Sequence, residues 1–201
     1  MTPRAFLAVA AAAAVLASGC ASDPVTRYYV LAASAAAPAS ADAVGVAVVI
    51  KDVRLPQYLE RPQIVTRGSD HRLLMADYEL WAGDLRQDLT RVLAENLSRL
   101  LGSDRVVAAP HTLRVQPDVR VEVEIQRFER SAAGRVELAA RWWLTRGSDG
   151  ALLASPGVTI PGAPLAPGAP YEAVVASMSG VYGELAGEIA RSIRARGKGT
   201  P

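Results

Sequence analysis

Lysine is almost missing from this chain. Of 22 basic residues among 201, only Lys51 and Lys198 are lysines, and the other 20 are Arg. Twenty acidic residues oppose them, leaving a formal net charge of +2. So small an excess provides no electrostatic footprint for nucleic acid. Cysteine occurs once, at Cys20, which excludes an intramolecular disulfide and a cysteine-rich zinc site. The two histidines, His71 and His111, stand far apart in no ligand-type spacing, and each reads as a surface residue. Aromatic residues make up 5% of the chain, so small aliphatic side chains carry most of its 50% hydrophobic content. No G-x-S-x-G elbow is present. Gly197-Lys198-Gly199-Thr200 lacks the preceding Gly of a phosphate loop and has no helix after it. Glu122 and Glu124 are the nearest approach to a carboxylate pair, and with Arg120 they read as a solvated stripe. The residues therefore ask for no enzyme, no cofactor and no metal.

Long apolar runs are also scarce. Ala5–Ala17 contains 13 apolar residues behind the single charge of Arg4. A bilayer-spanning helix needs about 20. The run instead has the form of a signal-peptide core. It ends in Leu16-Ala17-Ser18-Gly19-Cys20, small residues directly before the only thiol in the chain. That pattern resembles a bacterial lipobox, although the Leu usually found three positions before the Cys is displaced to Leu16. The resemblance implies cleavage before Cys20, a diacylglyceryl group on its thiol and an acyl chain on the new amino terminus. Each buried methylene is worth about 0.8 kcal/mol, so several chains would make release negligible. Ala21 and Ser22 follow, with no Asp beside the Cys, which by analogy with enterobacterial sorting favours the outer membrane, facing the periplasm. Residues 1–19 are thus expected to be a cleaved signal peptide and 20–26 a lipidated tether. Residues 27–196 are expected to form the folded domain and 197–201 a frayed tail.

Within that domain, the pattern predicts strands at Arg27–Leu31 and Val44–Val53 and a hairpin of Gln63–Arg67 with Arg72–Met75. A loop over Ala32–Ala43 would join the first two. A helix over Glu79–Leu101 follows from the apolar stripe Trp81, Leu85, Leu89, Val92, Leu93 and Leu97, with Gly102 as its left-handed cap. Arg105–Ala108 reads as a short strand. Asp118–Arg130 and Arg135–Arg146 alternate apolar and polar, as strands with one wet face do. Leu152–Ile160 should pair back as an edge strand, because Pro156 forbids a central place. Pro161–Pro170 reads as a loop and Tyr171–Arg196 as a second helix. Gly180, Gly183 and Gly187 on that helix would either admit a closely packed neighbour or be tolerated by packing. The expected fold is α+β: a two-layer sandwich, mostly antiparallel, with both long helices on one face of the sheet.

Trp142 and Trp143 are adjacent on a strand and must face opposite sides. Trp142 shares the apolar face. Trp143 shares the polar face with Glu137 and Arg141, where a Trp calls for either a binding partner or a covering loop. Trp143 and Arg141 are therefore candidate interface residues.

These pieces together resemble the PqiC group of ABC-type transport auxiliary lipoproteins. The resemblance rests on the lipobox, on Tyr28-Tyr29-Val30-Leu31, and most specifically on the run from Leu55 through Tyr58-Leu59-Glu60-Arg61-Pro62 to Arg67. Leu80-Trp81-Ala82, Val92-Leu93-Ala94-Glu95-Asn96-Leu97-Ser98 and the helix opened by Tyr171-Glu172 add to it. At Gly83-Asp84 the chain departs from relatives that carry Pro before the Leu. The resemblance implies a non-catalytic outer-membrane lipoprotein that works with an MCE-domain protein in moving lipid between membranes, as a ring-forming homo-oligomer. Tyr58, Leu59 and Arg61 would then be either contacts or turn architecture. The other reading is an envelope-assembly or cell-wall-associated lipoprotein serving as a general protein-binding module.

Overall fold

A computed structural model describes residues 24–34, 45–110 and 116–197. The signal segment, Cys20, His111, most of the Ala32–Ala43 connection and the tail from 198 onward lie outside the described residues.

Among the described residues, nine strands form one mixed sheet. They are β1 (Arg27–Tyr29), β2 (Val48–Arg54), β3 (Gln63–Ser69), β4 (Arg72–Trp81), β5 (Val106–Ala108), β6 (Val119–Arg130), β7 (Arg135–Arg146), β8 (Leu152–Ala154) and β9 (Gly157–Pro164). The two long helices are α1 (Leu85–Leu101) and α2 (Tyr171–Gly197). A single 3-10 turn, Gln57–Leu59, lies between β2 and β3.

β6 is the spine. Along its whole length it pairs antiparallel with β7, from Val119↔Arg146 to Arg130↔Val136. Its other edge is shared. β2 runs parallel to residues 119–124, and β3 touches it through Thr66↔Arg130. Two wings spread from that shared edge, β2–β5 and β3–β4–β1, while β8 and β9 pair with β7. The long β6–β7 and β3–β4 ladders are antiparallel, as expected, and the parallel pairings come from β1, from β2 and from the single β3 contact with β6, whose partners lie far away in sequence.

The alternation of β6 explains the layering. Val119, Val121, Val123 and Ile125 are buried, and Arg120, Glu122 and Glu124 are only partly so. The register then shifts between Ile125 and Arg127, so that Gln126 is the extra residue of a bulge. The bulge returns Phe128 to the core, where its ring centroid lies 5.9 Å from that of Tyr182 on α2. Both helices pack against the sheet and against each other. Leu89, Leu93 and Leu97 of α1 and Leu185 and Ile189 of α2 are fully buried between them.

The helix boundaries have local causes. Asp84 caps α1 by accepting a 3.0 Å hydrogen bond from the Gln87 amide, and Gly102 ends it at φ 58°, in the left-handed region. The expected start at Glu79 is too early, because Glu79–Trp81 belongs to β4. Trp81 is buried all the same, since a strand ending in the core satisfies it as well as a helix stripe would. Pro156 splits the expected Leu152–Ile160 strand into β8 and β9, and Pro161 and Pro164 lie in β9 instead of a loop. Among the described residues β9 pairs with β7 along one edge alone, and an edge strand is where prolines are tolerated. Close approach to α2 occurs at Gly162 of β9. A Cβ there would stand 2.7 Å from the Ser177 hydroxyl, whereas one at Gly180 or Gly187 would meet nothing within 4 Å.

Candidate functional site

The helices leave the opposite face of the sheet open, and the candidate residues fall on it or beside it. Glu129 stands at one end of this face. Its side chain is 0% exposed, although it points to the side of β6 away from the buried Phe128. A buried carboxylate must be paired or hydrogen-bonded. Here the Tyr58 hydroxyl donates to it at 2.7 Å, Arg67 Nε at 2.8 Å, Arg127 Nε at 3.0 Å and the Phe128 amide at 3.0 Å. Arg127 reaches on to Glu137 at 2.9 Å. Burial, and then the hydrogen bond to Glu129, push the Tyr58 phenol well above its usual range. The same carboxylate raises Arg67. Tyr58 is thus a strap that ties the Leu55–Pro62 segment over the sheet.

Leu59, next to Tyr58, turns inward and is buried in the core. Arg61 lines an open cleft of about 340 Å³ together with Leu55, Glu60, Gly83, Asp84 and Arg86. Its Nε is buried with no hydrogen-bond partner. Of the three residues singled out in this segment, Tyr58 and Leu59 therefore hold architecture, and Arg61 borders the cleft.

Trp143 lies at the other end of the open face, with Glu122 opposite it in the ladder. It is half-buried. The Arg54 guanidinium carbon sits 5.5 Å from its ring centroid, a cation–π contact, so the cover comes from β2 and not from a loop. Arg54 also reaches Glu124 at 3.5 Å, and Lys51 reaches Glu122 at 2.9 Å. Arg141, opposite Glu124, is exposed and holds the Ser155 carbonyl at 3.4 Å. The result is an aromatic ring framed by alternating charges on the open face of the sheet. Trp and Arg in such a setting are residue types enriched where proteins bind one another.

Arg54, Arg67 and Glu129 escaped the sequence reading. Nothing in the local pattern brings Arg54 to Trp143 or Arg67 to Glu129. Glu129 carried a faint signal, a carboxylate directly beside a core Phe on an alternating strand. Among the described residues, no group of three or more His, Cys, Asp or Glu could hold a metal ion. None of the described helices is long and apolar enough to cross a membrane.

The profile of the ABC-type transport auxiliary lipoprotein component family matches residues 29–190. The chain belongs to this family. It is 28% identical over 184 residues to the intermembrane transport lipoprotein PqiC of Escherichia coli strain K12, spanning 90% of this chain and 94% of that one. Two crystal structures share the fold. One, of an uncharacterised protein, has a TM-score of 0.66 at 24% identity and covers 85% of this chain and 99% of its own. The other, of a Xanthomonas campestris protein, has a TM-score of 0.70 at 16% identity and covers 86% and 99%.

The stretches that carried the family resemblance now have structural work assigned to them. After Tyr28-Tyr29-Val30, the Leu31 amide donates to Asp88 at 2.7 Å, and its carbonyl accepts from Arg91 at 2.8 Å, which fastens the entering chain to α1. Tyr29 donates to Glu79 at 2.5 Å, and Arg27 pairs with the same carboxylate at 2.8 Å. Burial first, and then the bond to Glu79, push the Tyr29 phenol up to about 12.

Proposed function

We propose that this protein is a lipid-anchored, non-catalytic subunit of an intermembrane lipid transport system. Acyl chains on Cys20 hold it at the outer membrane, facing the periplasm. The domain that follows, residues 27–196, docks an MCE-domain partner and assembles with further copies of itself. The observation that carries this reading is the match to an intermembrane transport lipoprotein over 90% of the chain, within a family of transport auxiliary lipoproteins. The open sheet face supports it, because it offers an aromatic anchor and paired charges for a protein partner.

Trp143, Arg54 and Arg141 are the residues assigned to docking. Cys20 is assigned to anchoring. Metabolic labelling with radioactive palmitate tests the anchor. The wild-type chain should take up label and fractionate with outer membranes, and Cys20→Ala should lose both. Unchanged labelling of Cys20→Ala would refute the assignment. Co-purification with an MCE-domain protein supports transport over a general envelope-binding role, and a monomer that captures none would reverse that preference.

A further inference from the structure

The anchor and the docking face leave one surface feature without a role. Large apolar side chains stand in water at the β1 corner of the sheet. Val25 is 71% exposed, Tyr28 67%, Val30 59% and Tyr78 45%. Arg27 and Tyr29 both bond Glu79, so they point to one side of the β1–β4 pair. Strand alternation puts Tyr28 on the other side. There it lies beside its ladder partner Leu80, and Tyr78 shares that face two residues earlier on β4. Val30 follows directly past the end of β1 and is exposed as well.

The corner is held firmly. The Arg27 and Tyr29 bonds to Glu79 fix β1 to β4, and Asp88 and Arg91 fix Leu31 to α1. Exposed apolar groups on so well-fastened a strand are a surface feature and not a frayed end.

The sequence says what lies next to them. Only four residues separate Cys20 from Val25. At about 3.6 Å per residue, the fully extended chain from Cys20 reaches at most about 18 Å to Val25 and about 29 Å to Tyr28. Acyl chains on Cys20 therefore keep this corner within reach of the bilayer surface and raise its effective concentration there. Tyrosine is enriched at that level of a membrane, where its ring meets lipid and its hydroxyl meets water.

We infer that the β1 corner, through Tyr28, Val30 and Tyr78, seats on the lipid surface and sets the orientation of the anchored domain. This inference rests on acylation of Cys20.

Because acylation would consume the only thiol, a cysteine introduced elsewhere in the full acylated chain can be labelled by itself. Val30→Cys and, as a control, Leu152→Cys receive a nitroxide in protein reconstituted on phosphatidylcholine vesicles. Leu152 is 62% exposed and lies on β8, in the wing paired to β7. Thermal melting of both variants at the wild-type temperature shows that the fold is kept. Collision with a water-soluble nickel complex should fall at least threefold at Val30 relative to Leu152, while collision with oxygen rises. Equal nickel accessibility at the two sites would overturn the inference. So would protection of Val30 that appears only at high protein-to-lipid ratio, because that assigns the patch to a second copy. Intact mass is read first. A chain lacking acyl groups overturns the anchor and the seating together, whereas an acylated chain with an exposed Val30 overturns the seating alone.

Discussion

On one side of β6, Val121, Val123 and Phe128 are sealed beneath the helices. On the other, Glu122, Glu124 and Glu129 are each matched to a cation from a neighbouring strand. The same backbone carries both sets, and the contrast shows how the layers divide their work. The apolar side gains from area removed from water and needs no particular partner. The polar side gains little from its exposed pairs, because water screens them and side-chain entropy opposes them. What those pairs do is keep the polar side chains of this face matched while leaving it uncovered by the helices. Glu129 is the exception within the open face. Its side chain is fully buried, against 25% exposure for Glu122 and 42% for Glu124, so its partners are obligatory.

Mutations can break the contrast at several strengths. Leu93→Ala, in the fully buried α1 stripe, should cost about 2–5 kcal/mol, read as a lower midpoint in urea. Glu129→Ala should cost about 1–3 kcal/mol, because it removes the shared acceptor of the Tyr58 hydroxyl, Arg67 Nε and Arg127 Nε. Tyr58→Phe added to it should cost less than it does alone, since the two share one interaction. Glu124→Ala, an exposed pair on the same strand, should stay below about 1 kcal/mol. A Glu124 variant as damaging as the Glu129 variant would erase the distinction within the open face.

The smallest effect is one of pH. The Tyr29 phenol is raised from 10.0 to about 12 in the folded chain. Its contribution to stability is whole below the unfolded value and is lost as pH rises through the folded one. Tyr29→Phe should therefore flatten the fall of melting temperature between pH 10 and 12. An unchanged slope would mean that the bond to Glu79 does not bias folding.

The layering was legible because β6 and β7 alternate over most of their length and both helices carry one-sided stripes. The bulge at Gln126 was not, since Glu124 and Gln126 are both polar and the shift shows only where Phe128 must return to the core. Trp81 misled because a buried ring suits the end of a strand as well as the start of a helix. β9 was hidden by prolines that an edge strand tolerates. At the site, Trp143 announced itself as an apolar ring on a polar face. Its cover did not, because Arg54 arrives from β2 through parallel pairing, which leaves no local pattern.

The open face is the proposed docking site for a partner. The direct test is the affinity of the acylated, vesicle-bound protein for an MCE-domain protein from the same genome, compared between wild type and Trp143→Ala. The expected result is a loss of at least tenfold with the melting temperature nearly unchanged. Equal affinity, with the variant folded, would contradict the claim.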